Sequence, residues 1–101
     1  MRRLDFYRVP RSRVRMYLVD VQANILDHLA TRVVIPMIAT KDAPDQASEL
    51  NPIFDIDGIL HILQTQQMAA VQRNGLGECA GSLAAYRDEI TWALDILLFD
   101  F

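Results

Sequence analysis

Apolar and polar positions alternate with period two at the start of the chain. Leu4, Phe6 and Arg8 interleave with Asp5, Tyr7 and Val9, and residues 14–21 are β-branched and aromatic with the same period. Pro10-Arg11-Ser12-Arg13 separates them, so the pattern predicts a strand, a short turn and a second strand. Residues 24–29 form a connection with unusual apolar weight. Residues 32–39 are almost continuously apolar and read as a buried strand; Pro36 inside it cannot donate to a ladder and marks an edge or bulge. Residues 40–52 are polar, broken by Pro44 and Asn51-Pro52, and read as a long surface loop with one helical turn at 46–50. Residues 53–56 and 59–63 flank Asp57-Gly58, the signature of a two-residue type I′ hairpin, because both turn positions need positive φ. One more short strand is predicted over 67–73. Residues 74–81 hold three of the four glycines and read as a loop. Ser82 then caps a helix running from 83 to about 98.

On a helical projection, Leu83, Tyr86, Ile90, Leu94, Leu97 and Phe101 fall within about an 80° sector, the expected core face. Trp92, Ile96 and Phe99 fall on the opposite side. One helix on one small sheet cannot bury both faces. The second ridge is therefore a contact surface, unless a loop such as 40–52 folds over it. The stretch Ile96, Leu97, Leu98 and Phe99 is apolar all round and predicts a homodimer interface.

The length of 101 residues corresponds to one domain, with a β-rich body over about 3–73 and the helix over about 83–98. A hydrophobic fraction of 51% rules against disorder. No apolar run reaches the length of a spanning helix or a signal peptide, which makes a cytoplasmic location the default. One cysteine, Cys79, leaves no intrachain disulfide, and two distant histidines give no metal-ligand spacing. No cofactor or metal is expected. The net charge of −3 hides an asymmetry: residues 1–15 carry six arginines and one acid, whereas the remainder carries four bases and twelve acids. Arg8, Arg11, Arg13 and Arg15 therefore form a basic hairpin on an acidic body. It either solvates a turn or docks phosphate or a partner's acidic face.

Enzymatic signatures are weak. Gly75-x-Gly77-x-x-Ala80 matches a loose dinucleotide fingerprint, but no second strand follows downstream to complete a βαβ unit. Asp55 and Asp57 are explained by their turn, and His61 by packing in a hairpin strand. Asp27-His28 is the remaining acid–base pair.

Tyr17-Leu18-Val19-Asp20-Val21-Gln22, then Ile25-Leu26-Asp27, then Arg32-Val33-Val34-Ile35-Pro36-Met37, resemble the CcdB toxin family in order and separation. The likeness extends over essentially the whole chain, including Gln67-Met68-Ala69 and the final helix. It implies a mainly β, SH3-like antiparallel barrel with a C-terminal helix, the fold shared with Kid and MazF toxins. It also implies a homodimer that poisons DNA gyrase through its A subunit and is neutralised by a cognate, CcdA-like antitoxin. DNA would be reached only indirectly, through the antitoxin in an operon-repressing complex, and no membrane is involved. The implied gyrase contacts are Ala23, Ile25 and Leu26 in the loop after Gln22, and Asp95, Phe99, Asp100 and Phe101 at the helix end. The implied partner for Arg8, Arg11, Arg13 and Arg15 is the antitoxin. The tail departs from the family's usual Trp-Gly-Ile, and Gln72 stands where the family has a proline. Two alternatives stay open: a ribonuclease on the same barrel using Asp27-His28 and the basic hairpin, and a toxin-fold protein that only binds antitoxin.

Overall fold

The computed structural model describes residues 2–43 and 49–99. Strands β1 (Asp5–Arg8), β2 (Met16–Asp20), β3 (Thr31–Ala39), β4 (Ile53–Ile56), β5 (Ile59–Leu63), β6 (Ala69–Gln72) and β7 (Cys79–Ser82) make one antiparallel sheet. The spatial order is β4-β5-β3-β2-β1-β7, with β6 also pairing with β3. The sheet curls into a half-barrel, and α1 (Arg87–Leu98) follows a 3-10 turn at Ala84–Tyr86. The mainly β class with one C-terminal helix is therefore as the sequence predicts.

β3 is the spine. It pairs with β2 along one side and with β6 and then β5 along the other. Pro36 consequently lies in a central strand, not at an edge. The reason it is tolerated is local. Val21 N donates to Val33 O, so alternate residues 33, 35 and 37 turn their backbone polar groups to β2. Pro36 turns the other way, opposite the break between β6 and β5, where no ladder bond requires its missing N–H. Its carbonyl accepts Gln64 N at 2.8 Å.

The two-residue Asp57-Gly58 hairpin forms as predicted, with Ile56 opposite Ile59 and φ of 53° and 83° at the turn. Asp55 Oδ1 accepts Gly58 N at 2.8 Å, which gives that carboxylate its turn role. The loop reading of 74–81 is corrected at its end, because residues 79–82 form β7 on the free edge of β1. The β-rich body therefore continues beyond 73. Gly81 is required there: a Cβ would sit 2.6 Å from Phe6 Cζ, and Phe6 is buried edge-on to Tyr17 with ring centroids 5.1 Å apart. Of the helical turn expected at 46–50, residues 46–48 lie outside the described residues.

The core gathers Leu4, Phe6, Tyr17, Val19, Ile35, Met37, Phe54 and Leu63 inside the curl, closed by Leu83 and Ile90. The predicted helix face is corrected in part. Leu83, Ile90 and also Ala93 are buried, Leu94 and Leu97 are half-buried, and Tyr86 remains exposed with its ring 4.8 Å from Phe54. The cause is the 3-10 turn: the 100° phase starts only at Arg87, so Tyr86 is out of step with Ile90. Ser82 Oγ accepts Ala84 N at 3.1 Å and so caps that turn, not α1 itself. Among the described residues, no helix is long and apolar enough to cross a membrane.

Candidate functional site

The loop after β2 is unusually well anchored. Asp20 and Arg32, on neighbouring strands, are both fully buried. Arg32 Nε donates to Asp20 Oδ2 at 3.0 Å, and Arg32 Nη1 donates to Asp27 Oδ1 at 3.0 Å. Arg73 Nη1 donates to Asp27 O at 2.6 Å, with its other terminal nitrogen 3.7 Å from the Asp27 carboxylate. Gln22 completes the frame: its N donates to Asp20 Oδ1 at 3.0 Å, its Nε2 to Leu26 O at 3.1 Å, and its Oε1 accepts Val33 N at 3.0 Å. A buried ion pair is costly to desolvate and holds its place only when its remaining hydrogen bonds are made. Here those bonds fix both ends of the segment from Gln22 to Asp27.

That frame presents apolar side chains to solvent. The 3-10 turn at Asn24–Leu26 carries Ile25, 84% exposed, with Leu26 and Leu29 also exposed and Ala23 beside them. A large aliphatic side chain held outward by a rigid polar frame is suited to a partner surface.

The helix end is a second such place. Phe99 is 71% exposed and Leu98 54%, while Ile96, Leu97 and Asp95 are half-buried. Phe99 N donates to Asp95 O at 2.9 Å, so the aromatic residue caps the C-terminal end of α1. Asp100 and Phe101 lie outside the described residues. Trp92, 44% exposed, donates its indole N–H to Glu49 Oε2 at 2.8 Å, so the loop that leads into β4 does reach the outer ridge.

The two places are separate within one chain. Asn24 shares a cavity with Ala84 and Arg87, at the start of α1, whereas Phe99 closes it one helix length away, about 18 Å. The basic hairpin is a third. Arg8, Arg11 and Arg13 are exposed, and Arg8 lines a shallow cleft with Pro10, Gly77 and Glu78. Arg15 is engaged elsewhere: its Nη2 donates to Tyr17 OH at 2.8 Å and lies 3.8 Å from Asp57 Oδ2. His61 is fully buried against the Tyr17 ring, with Nδ1 2.8 Å from Ile59 O. Burial also raises the Tyr7 phenol to about 12, helped by the nearby charge of Asp5.

Sequence reading missed the Asp20–Arg32–Asp27–Arg73 frame. The one available signal was an arginine opening an otherwise apolar strand.

A solved structure described as an endoribonuclease in complex with its cognate antitoxin, from Mycobacterial species, is similar over 97% of this chain and 94% of that one, with TM-score 0.74 and 16% identity. The likeness defines the fold class: a helix-closed antiparallel half-barrel shared with that endoribonuclease. Residues 3–99 match the family described as CcdB protein. The chain belongs to the CcdB family, and is a toxin of a toxin–antitoxin system.

Proposed function

We propose that this toxin binds the DNA gyrase A subunit and traps the enzyme on cleaved DNA, acting as a homodimer and released by a CcdA-like antitoxin. The observation that carries the reading is Phe99, a large aromatic side chain 71% exposed at the tip of α1. Exposed aromatics at rigid positions commonly anchor protein interfaces. Leu98 and the half-buried Ile96 and Leu97 adjoin it and supply apolar area for a second copy of the chain. Ile25 and Leu26 offer an independent contact, with Ala23 alongside. Membership of the CcdB family supports gyrase as the target, and the antitoxin bound to the structural neighbour supports an antitoxin partner here. Arg8, Arg11 and Arg13 are the exposed cations available to an acidic antitoxin segment. Arg15 takes a lesser share because Tyr17 and Asp57 hold it.

The neighbour's endoribonuclease activity supports RNA cleavage as the competing reading. Asp27-His28 would be its acid–base pair, but the Asp27 carboxylate is occupied by Arg32 and Arg73. That arrangement suits a positioning role better than proton transfer. The test is purified protein incubated with gyrase and plasmid DNA, and in parallel with total RNA. Gyrase-dependent linear DNA with intact RNA is the expected result; specific RNA cleavage without gyrase would replace the proposal.

A further inference from the structure

We propose that the cavity at the start of α1 binds an acidic side chain of the gyrase A subunit, as an ionic anchor beside Ile25. The inference rests on the gyrase reading and gives the loop contact its chemistry. The cavity is ≈190 Å³ and is lined by Arg3, Leu4, Asn24, Ala84 and Arg87.

The Arg3, Leu4 and Asn24 part of its lining is held by hydrogen bonds. Arg3 N donates to Asn24 Oδ1 at 2.8 Å and Arg3 Nε to Val21 O at 3.2 Å, which orients the guanidinium. Leu4, at φ 74°, is held by its N–H on Asp20 O and by Leu83 N on its own carbonyl. Asn24 uses Oδ1 as an acceptor and keeps its amide N–H groups as donors. Arg87 is exposed and lines the cavity from the first position of α1. Among the described residues, neither Arg3 nor Arg87 is in an ion pair, and no carboxylate lines the cavity. Asp88 and Glu89 follow Arg87 on the helix but are not among the lining residues. The lining thus combines two arginines and one amide, in a chain of net charge −3. Such a donor set recognises a carboxylate or a phosphate, and arginine can do so in bidentate fashion.

The surroundings favour a carboxylate on a protein. Asn24 belongs to the same turn as Ile25 and Leu26, so the cationic cavity opens beside an exposed aliphatic shoulder. Protein interfaces combine an apolar centre with a polar rim, whereas nucleic-acid backbones are held by cations and polar groups and give such a shoulder no role.

The experiment measures binding of purified gyrase A subunit to the full-length wild type, Arg87→Glu, Arg87→Lys and Phe99→Ala across a salt series, with thermal melts of each. Arg87→Glu is expected to melt like the wild type, to bind at least about tenfold more weakly, and to show a flatter salt dependence, with Arg87→Lys intermediate. Wild-type affinity in Arg87→Glu, with Phe99→Ala defective, would overturn the cavity assignment and leave the gyrase reading standing. A defect that appears only with gyrase bound to DNA would assign the cavity to a phosphate and overturn the carboxylate. Absence of any binding by the wild type would remove both.

Discussion

Replacing Phe99 by alanine separates binding from folding. The ring is 71% exposed, so of a side chain burying about 200 Å² when enclosed, only roughly 60 Å² is covered in the folded chain. At about 25 cal/mol per Å², its loss costs the fold at most ~1.5 kcal/mol, a few degrees in melting temperature. The backbone bond from residue 99 to Asp95 O survives, because alanine keeps its N–H. The remaining ~140 Å² of the single chain is available to gyrase and a second copy together and corresponds to ~3.5 kcal/mol before association costs. A central aromatic anchor retains ~2 kcal/mol or more, which is about thirtyfold in affinity. Phe99→Ala should therefore melt within a few degrees of the wild type and fail to arrest growth at moderate expression, while Phe99→Trp should keep or raise toxicity. The assay is growth of induced cells beside melts of the purified variants. A Phe99→Ala protein that melts normally and still arrests growth through gyrase would show that the anchor lies elsewhere.

Arg32→Met leaves the Asp20 carboxylate buried without its guanidinium and should destabilise by ~3–5 kcal/mol, with much of that loss recovered when Asp20→Asn is added; denaturant melts of the single and double variants measure it. Gly81→Ala drives a methyl into the buried Phe6 ring and should cost ~1–3 kcal/mol without altering the hairpin registers, as read by melting and amide exchange. Because the folded phenol of Tyr7 is raised to about 12 from 10, the folded state holds a proton that the unfolded chain gives up. Stability should be at its full value below pH 10 and fall as pH rises from 10 towards 12, a decline that Tyr7→Phe reduces in pH-dependent melts. Reversing Arg11 and Arg13 to glutamate should leave the melt unchanged and weaken antitoxin binding with a flatter salt dependence; unchanged affinity across the salt series would show that the hairpin only solvates a turn.

What the sequence made legible follows the strength of local chemistry. Asp57-Gly58 between two apolar runs specifies its turn almost alone, because two adjacent positive-φ residues admit few alternatives. β7 escaped notice because Cys79, Ala80, Gly81 and Ser82 carry little β-propensity; that strand is set by its pairing with β1 and by the space Phe6 requires. Pro36 signals an edge or bulge by its missing donor, yet tertiary pairing sets its nitrogen opposite a gap between two partner strands. The exposed members of the site, Ile25 and Phe99, were legible through a resemblance and an apolar ridge. The polar frame beneath Ile25 was not, since Asp20 and Gln22 meet Arg32 and Arg73 only through tertiary pairing, and no local pattern links the three segments.

The most direct measurement of the central claim is induction of the toxin, without antitoxin, in two otherwise identical strains, one with ordinary gyrase and one with a gyrase A subunit resistant to CcdB. Growth arrest in the first strain alone is the predicted result, and equal arrest in both would contradict gyrase as the target.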